Sequence, residues 1–156
     1  MRKPISALAV TLVLALAAFP VPVAAGGPTS VNGGGIAVGP DSASQFGMDV
    51  NLASDGSVSG DFNCVMAGRS AKPGLSDMTV RGRVTSGSIT SGAVTFAGVG
   101  TLNMNSSQTS KPEIMTVTFS VTVTAGGRGV GTLALDVPAA SFGMSEVVAS
   151  GQISIH

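Results

Sequence analysis

The stretch Glu113–Thr124, EIMTVTFSVTVT, alternates apolar and hydroxyl-bearing residues without a break. Successive side chains on an extended strand point to opposite faces, so a period of two sorts this segment cleanly. Met115, Val117, Phe119, Val121 and Val123 fall on one face. Thr116, Thr118, Ser120, Thr122 and Thr124 fall on the other. An amphipathic helix needs apolar residues three and four apart, and no long segment of the chain offers that spacing. This pattern restricts the chain to sheets with one buried face and one solvated face.

The same period recurs along the chain. QFGMDVNLA places Phe46, Met48, Val50 and Leu52 inward, and VSGDFNCVM places Val58, Phe62, Cys64 and Met66 inward. MTVRGRVT buries Met78, Val80 and Val84 and turns Arg81 and Arg83 outward. AVTFAGVGTLNM contributes Val94, Phe96, Leu102 and Met104. A later strand carries Leu133, Leu135 and Val137, and the closing run VVASGQISIH carries Ile153 and Ile155. Between the second and third runs, Asp55-Gly56 supplies the positive φ angles that a tight hairpin needs. With GGGIAV near the start, this makes about eight short strands at the spacing of sandwiches and barrels. Three polar segments read as longer loops: AGRSAKPGLSD (67–77), NSSQTSKP (105–112) and PAASFGMSE (138–146).

Alternation with one polar face means antiparallel sheet, and short connections make sequence neighbours into spatial neighbours. A meander of this kind has two exposed edges, which invite association with other chains. Closure removes them. The alternating run that reaches His156 is therefore expected to pair with the first strand, near Val31–Val38. The expected fold is all-β, a single antiparallel meander in a closed or nearly closed barrel. A two-sheet sandwich has the same periodicity and is the alternative. Gly60, Gly82, Gly98 and Gly100 fall on inward positions, where they permit tight curvature or leave space for a ligand; curvature is favoured.

The first residues do not share this pattern. Arg2 and Lys3 precede an uncharged apolar run, and small residues stand at Val23 and Ala25. That is the layout of a secretory signal peptide over 1–25, cut after Ala25, leaving a single β-domain over 26–156. The apolar run is shorter than the roughly 20 residues that span a bilayer, and Pro20 and Pro22 interrupt it. The expected location is secreted or periplasmic, with no stable membrane insertion after cleavage.

Catalytic chemistry has little to work with. The chain has one histidine, His156, and one cysteine, Cys64, so no disulfide forms within it and no zinc set assembles. A terminal His156 has no neighbours to hold it as the base of a nucleophilic triad. Asp41, Asp55, Asp61 and Asp77 lie in or near expected turns but lack the spacing of a calcium loop. Met48, Met66 and Met115 could suggest a soft copper site, but they fall on the core face, where methionine fills gaps. The chain has eight acids against eight bases, two of which, Arg2 and Lys3, lie in the leader, and it lacks Trp and Tyr. Neither the basic surface nor the stacking platforms for nucleic acid are present. No catalytic, cofactor or metal residues are assigned, no cofactor is expected, and the ligand-binding residues are unknown.

Several segments carry a resemblance. GGGIAV, FGMDV, DGSVSGDF, SITSGAVTFAGVGTLN, TVTFSVTVTAGG and the terminal GQISIH together resemble secreted bacterial β-domains of the post-COAP type. The chain departs from that family in its AGGRG turn, where the family turn is acidic and contains proline. A histidine common before the central segment is also missing. The resemblance implies an exported β-domain without catalytic residues.

The expected function is a non-enzymatic extracytoplasmic binding or structural module, with recognition carried by its loops toward an unknown protein or small-molecule partner. One alternative is a small-molecule carrier whose barrel interior is lined by Phe62, Phe96, Met66 and Met104. Another, less favoured, is an outer-membrane barrel with its apolar face toward lipid.

Overall fold

The computed structural model describes residues 27–108 and 111–156, with Arg69 described in its backbone alone. The leader expected over 1–25, with its cut after Ala25, lies outside the described residues. Among them no helix is long and apolar enough to cross a membrane.

Eight strands follow one another: β1 (Thr29–Val38), β2 (Ala43–Leu52), β3 (Val58–Ala67), β4 (Leu75–Thr90), β5 (Ala93–Ser106), β6 (Glu113–Thr124), β7 (Thr132–Val137) and β8 (Phe142–Ile155). Each pairs antiparallel with the next, and β8 returns to β1, so the described residues form a closed barrel rather than a sandwich. The seam joins Val31 to Ile155 and Gly35 to Gly151. Beyond the seam, Ser30 and His156 exchange both of their backbone hydrogen bonds at 2.9 Å. The chain's last residue is thus pinned through its main chain, while its side chain stays at an exposed end.

The seam is a close approach of two backbones. A Cβ at Gly151, whose φ is +90°, would stand 2.0 Å from the Gly34 carbonyl oxygen. Glycine is required there both for conformation and for space. One residue later in β1 the ladder shifts: Ile36 faces Ser150 but Ala37 faces Val148. The intervening Ala149 bulges, which bends the strand and sharpens the local twist.

The inward positions read from the alternation form one core. Phe46, Met48, Val50, Phe62, Cys64, Met66, Met78, Val80, Val84, Val94, Phe96 and Leu102 are all buried, as are Val117, Phe119, Val121, Val123, Leu133, Leu135, Val137 and Ile153. Fully burying a Val, Leu, Ile, Phe or Met side chain contributes about 1.5–3 kcal/mol, so this face dominates stability. Phe62 sits at its centre. Its ring meets Phe96 edge-on at 5.8 Å and Phe119 at 5.5 Å with a 30° tilt.

The inward glycines serve that packing. A Cβ on Gly82 would approach the Phe119 ring to 2.7 Å and the Val99 carbonyl oxygen to 2.5 Å, and one on Gly98 would meet the same ring at 2.7 Å. The aromatic ring and neighbouring backbone occupy the space that a ligand would need. The glycines at 82 and 98 therefore permit close packing against Phe119.

The turns divide into two kinds. At one end, β2–β3 and β4–β5 are joined tightly. Gly56 has φ +84°, as the Asp55-Gly56 pair predicts, and Ser91-Gly92 has φ +50° and +84°. Two successive positive φ values are the signature of a type I′ hairpin, which matches the twist of the flanking strands. Asp55 accepts hydrogen bonds from the Ser57 hydroxyl (2.6 Å) and the Ser57 N–H (2.8 Å), which lower its pKa below the usual carboxylate value. The third connection at this end, β6–β7, is longer and runs from Ala125 to Gly131; the connections at the other end include two short 3-10 turns, Gly68–Ser70 and Pro138–Ala140.

The three segments expected as loops are shorter than the sequence suggests. β3 runs on to Ala67, β4 starts at Leu75, β5 reaches Ser106, and β8 starts at Phe142. Strand pairing extends into polar residues because backbone hydrogen bonding carries the ladder past the apolar positions.

Candidate functional site

In an antiparallel meander, alternate connections lie at the same end. The β1–β2, β3–β4, β5–β6 and β7–β8 connections therefore converge, and all three segments expected to carry recognition belong to this loop end. The strands deliver them to a common rim without any contribution from the loop sequences themselves.

Side chains then fix two of these connections to the barrel. The Ser70 hydroxyl donates to the Ala43 carbonyl and accepts the Ala43 N–H at 2.6 Å. One buried hydroxyl thereby satisfies both main-chain groups of the first residue of β2, as a neighbouring strand would. Lys72 donates through its Nζ to the Ala140 carbonyl, and its N–H points at the Met78 sulfur at 3.3 Å. This draws the β3–β4 connection onto the 3-10 turn at Pro138–Ala140. Ala71 and Ala140 are buried beside these ties. The next residue, Ser141, holds φ +48°, a left-handed conformation uncommon outside glycine.

Open clefts lie along this end. One of about 480 Å³ runs between Asp41 and Ser42 on one side and Lys72, Ser141 and Met144 on the other. A second of about 380 Å³ is lined by Lys72, Leu75, Met104, Glu113, Met115 and Ser141. Lys72 and Ser141 border both. Met104 and Met115, inward by alternation, are only partly buried because they lie at this rim. The clefts offer cationic, anionic, hydroxyl and thioether groups within a short span.

Beneath the rim, the core contains polar groups. Glu146 is 2 % exposed and Ser44 is also buried. The Ser44 hydroxyl donates to Glu146 Oε2 over the inner face of β1, joining β2 to β8, the two strands that flank it. Glu146 Oε1 is buried without a hydrogen-bond partner among the described residues. A buried carboxyl oxygen without a partner carries a desolvation penalty, so this pair is a local exception in an otherwise apolar interior. Cys64 lies near both groups. Burial pushes its thiol up to about 12; the Ser44 hydroxyl opposes that rise and the Glu146 carboxylate adds to it. A thiol held protonated is a poor nucleophile and a poor redox centre.

The sequence placed Glu146 in a loop. It lies instead within β8, opposite Leu133. The signal was available: Phe142, Met144, Glu146 and Val148 continue one alternating face, with a carboxylate where an apolar residue is expected. Ser44 stands two residues before Phe46 on the inward face of β2 and was equally legible.

Other singled-out residues are dispersed. Asp55 lies at the tight-turn end and Asp41 at the loop end. Asp77 accepts from the Asn105 amide at 2.7 Å, and Asp61 faces Arg83 across β3–β4. Among the described residues no three His, Cys, Asp or Glu side chains gather as a metal site. Arg81 borders a cleft of about 510 Å³ on the outer wall together with Asp49 and Asp61. The outward arginines therefore sit in mixed charge. Cys64 is inside the barrel, whereas His156 is exposed at the end away from the loop rim.

No protein-family model matches the chain, and no curated protein or solved structure matches it significantly.

Proposed function

We propose that the chain is a non-enzymatic extracytoplasmic β-domain, exported by a leader cut after Ala25, that binds a partner through its loop end. The supporting observation is the construction of that end. Four connections converge there, Ser70 and Lys72 tie two of them down, and open clefts of mixed polarity lie between them. Rigid presentation of loops by a barrel lowers the ordering cost of recognition. The resemblance to post-COAP-type domains agrees with this assignment.

The packing weighs against the two alternatives. A carrier needs Phe62, Phe96, Met66 and Met104 to line a space, but the three phenylalanine rings fill the centre by packing on one another. A membrane barrel needs an apolar outer band, whereas Asp49, Asn51, Asp61, Arg81, Arg83 and Thr116 face outward and are exposed.

Photo-crosslinkers placed singly at Asp41 and Pro73, and at Ser57 and Arg128 on the opposite end, test the reading in the native host. Crosslinks to the same extracytoplasmic component from the first pair alone are expected. Equal capture from both ends, or none from the loop end, would contradict it. Mass measurement of the exported chain tests the cut, with Gly26 expected as the first residue.

A further inference from the structure

Closure of the barrel does not cover every strand edge. The ladder between β3 and β4 stops at Asp61–Arg83, while β4 continues to Thr90 with β5 as its partner. A bulge at Thr85 precedes this overhang, and Thr85–Thr90 is exposed throughout. On its free side the strand offers unpaired backbone donors and acceptors, a template for another strand. A second overhang occurs on β6, whose pairing with β7 begins only at Ser120. That one is preceded by Lys111 and Pro112 and begins with Glu113, devices that discourage strand addition. The β4 overhang, TSGSIT, contains no charge and no proline.

We propose that Ser86–Thr90 of β4 is a self-pairing edge, joined antiparallel to the same segment of a second copy about a two-fold axis at Ser88. In a continuous sheet, directly opposed residues must face the same way. Gly87 and Ile89 share the concave face, being paired with Phe96 and Val94, while Ser86, Ser88 and Thr90 face outward. Centring the axis on Ser88 satisfies this rule. Ile89, which is 46 % exposed, then lies opposite Gly87, over which the Leu52 side chain packs 3.3 Å from where a Cβ would stand, so the incoming Ile89 meets an apolar neighbour. On the outer face, Ser86 meets Thr90 and Ser88 meets its own copy, pairs that bring hydroxyls together without charge repulsion. An edge without charge gives a charged partner nothing to pair with, and an identical edge is its best complement. A ladder of this length makes a weak dimer that depends on concentration.

Sedimentation velocity over the micromolar to near-millimolar range tests the proposal on the purified protein. The wild type is expected to shift from monomer to dimer. Ser88→Lys puts two like charges on the axis and is expected to abolish the shift while leaving the circular dichroism spectrum unchanged, since Ser88 is exposed. Ser88→Glu alone is expected to do the same, and mixing the two variants is expected to restore a dimer. A wild type that stays monomeric throughout, including one that instead captures an extended segment of another protein, overturns the proposal. So does a dimer that persists in both single variants or fails to return in the mixture.

Discussion

The two ends of the barrel are built by different means. At the tight-turn end, backbone conformation does the work: Asp55-Gly56 and Ser91-Gly92 reverse the chain, and Ser30 and His156 lock β1 to β8 through main-chain bonds. At the loop end, backbone bonds still close each short turn, but side chains add ties between residues far apart in sequence. Ser70 substitutes for a strand neighbour of Ala43, Lys72 reaches Ala140, and Ser44 reaches Glu146 over the inner face of β1. Backbone turns need only permissive residues, whereas side-chain ties need particular partners far apart in sequence. The loop end is therefore the one whose structure depends on specific long-range pairs, and it is the end that presents the clefts.

The largest effect separating the ends should come from deleting Gly151–His156. This removes most of the β1–β8 ladder and the pins at Ser30, and it exposes two long edges. The shortened chain is expected to lose cooperative unfolding in calorimetry, although every loop-end residue is retained.

Next comes the buried Ser44–Glu146 pair. Ser44→Ala leaves the whole Glu146 carboxyl without a partner and is expected to destabilise by about 3 kcal/mol in urea titration. Replacing both groups, Ser44→Ala with Glu146→Leu, removes the buried polar atoms together. The double variant is expected to be at least as stable as the wild type, to within about 1 kcal/mol. A double variant weaker than either single one would mean that the pair holds the loop end in a way an apolar pair cannot.

A smaller contrast compares one residue at each end. Ser70→Ala removes both bonds to Ala43 and is expected to cost about 1–3 kcal/mol. Ser91→Gly relieves a left-handed residue in a tight hairpin and is expected to stabilise slightly. Opposite signs in the two melting temperatures would confirm that one end is fixed by side chains and the other by backbone.

The smallest effect is a pH dependence from Cys64. Its pKa is raised from 9.0 to about 12 by burial, with the Ser44 hydroxyl opposing and Glu146 reinforcing the rise. Between those values the unfolded chain has lost the thiol proton and the folded chain retains it. Stability therefore falls as pH rises above 9.0 and is unaffected by this group below it. A Cys64→Ala variant should show a shallower decline over that range, and alkylation of Cys64 in the wild type should track unfolding.

Much of this architecture was legible. The alternation in β6 assigned Val117, Phe119, Val121 and Val123 to the core, and the patterned C-terminus called for a partner, which β1 provides. The loop-end polar pair was not read, because Glu146 breaks the apolar sequence of its own face and so resembled a loop residue. Its hydrogen bond to Ser44 spans 102 residues, and no local pattern encodes it. The β4 overhang was also missed. Its residues are hydroxyl-bearing or small, and strand length there follows from pairing with β5 rather than from burial. The site was thus visible as three polar segments, while their convergence and the ties between them emerged only from the topology.

Amide hydrogen exchange along β1 tests the closed barrel most directly. A strand paired on both sides has all of its amides protected, whereas an edge strand protects only alternate ones. Closure predicts slow exchange at successive residues from Val31 to Ile36, matched by slow exchange at Ser154 and His156, whose amides face β1. Alternating fast and slow amides along β1, with rapid exchange at His156, would show an open sheet and contradict the account.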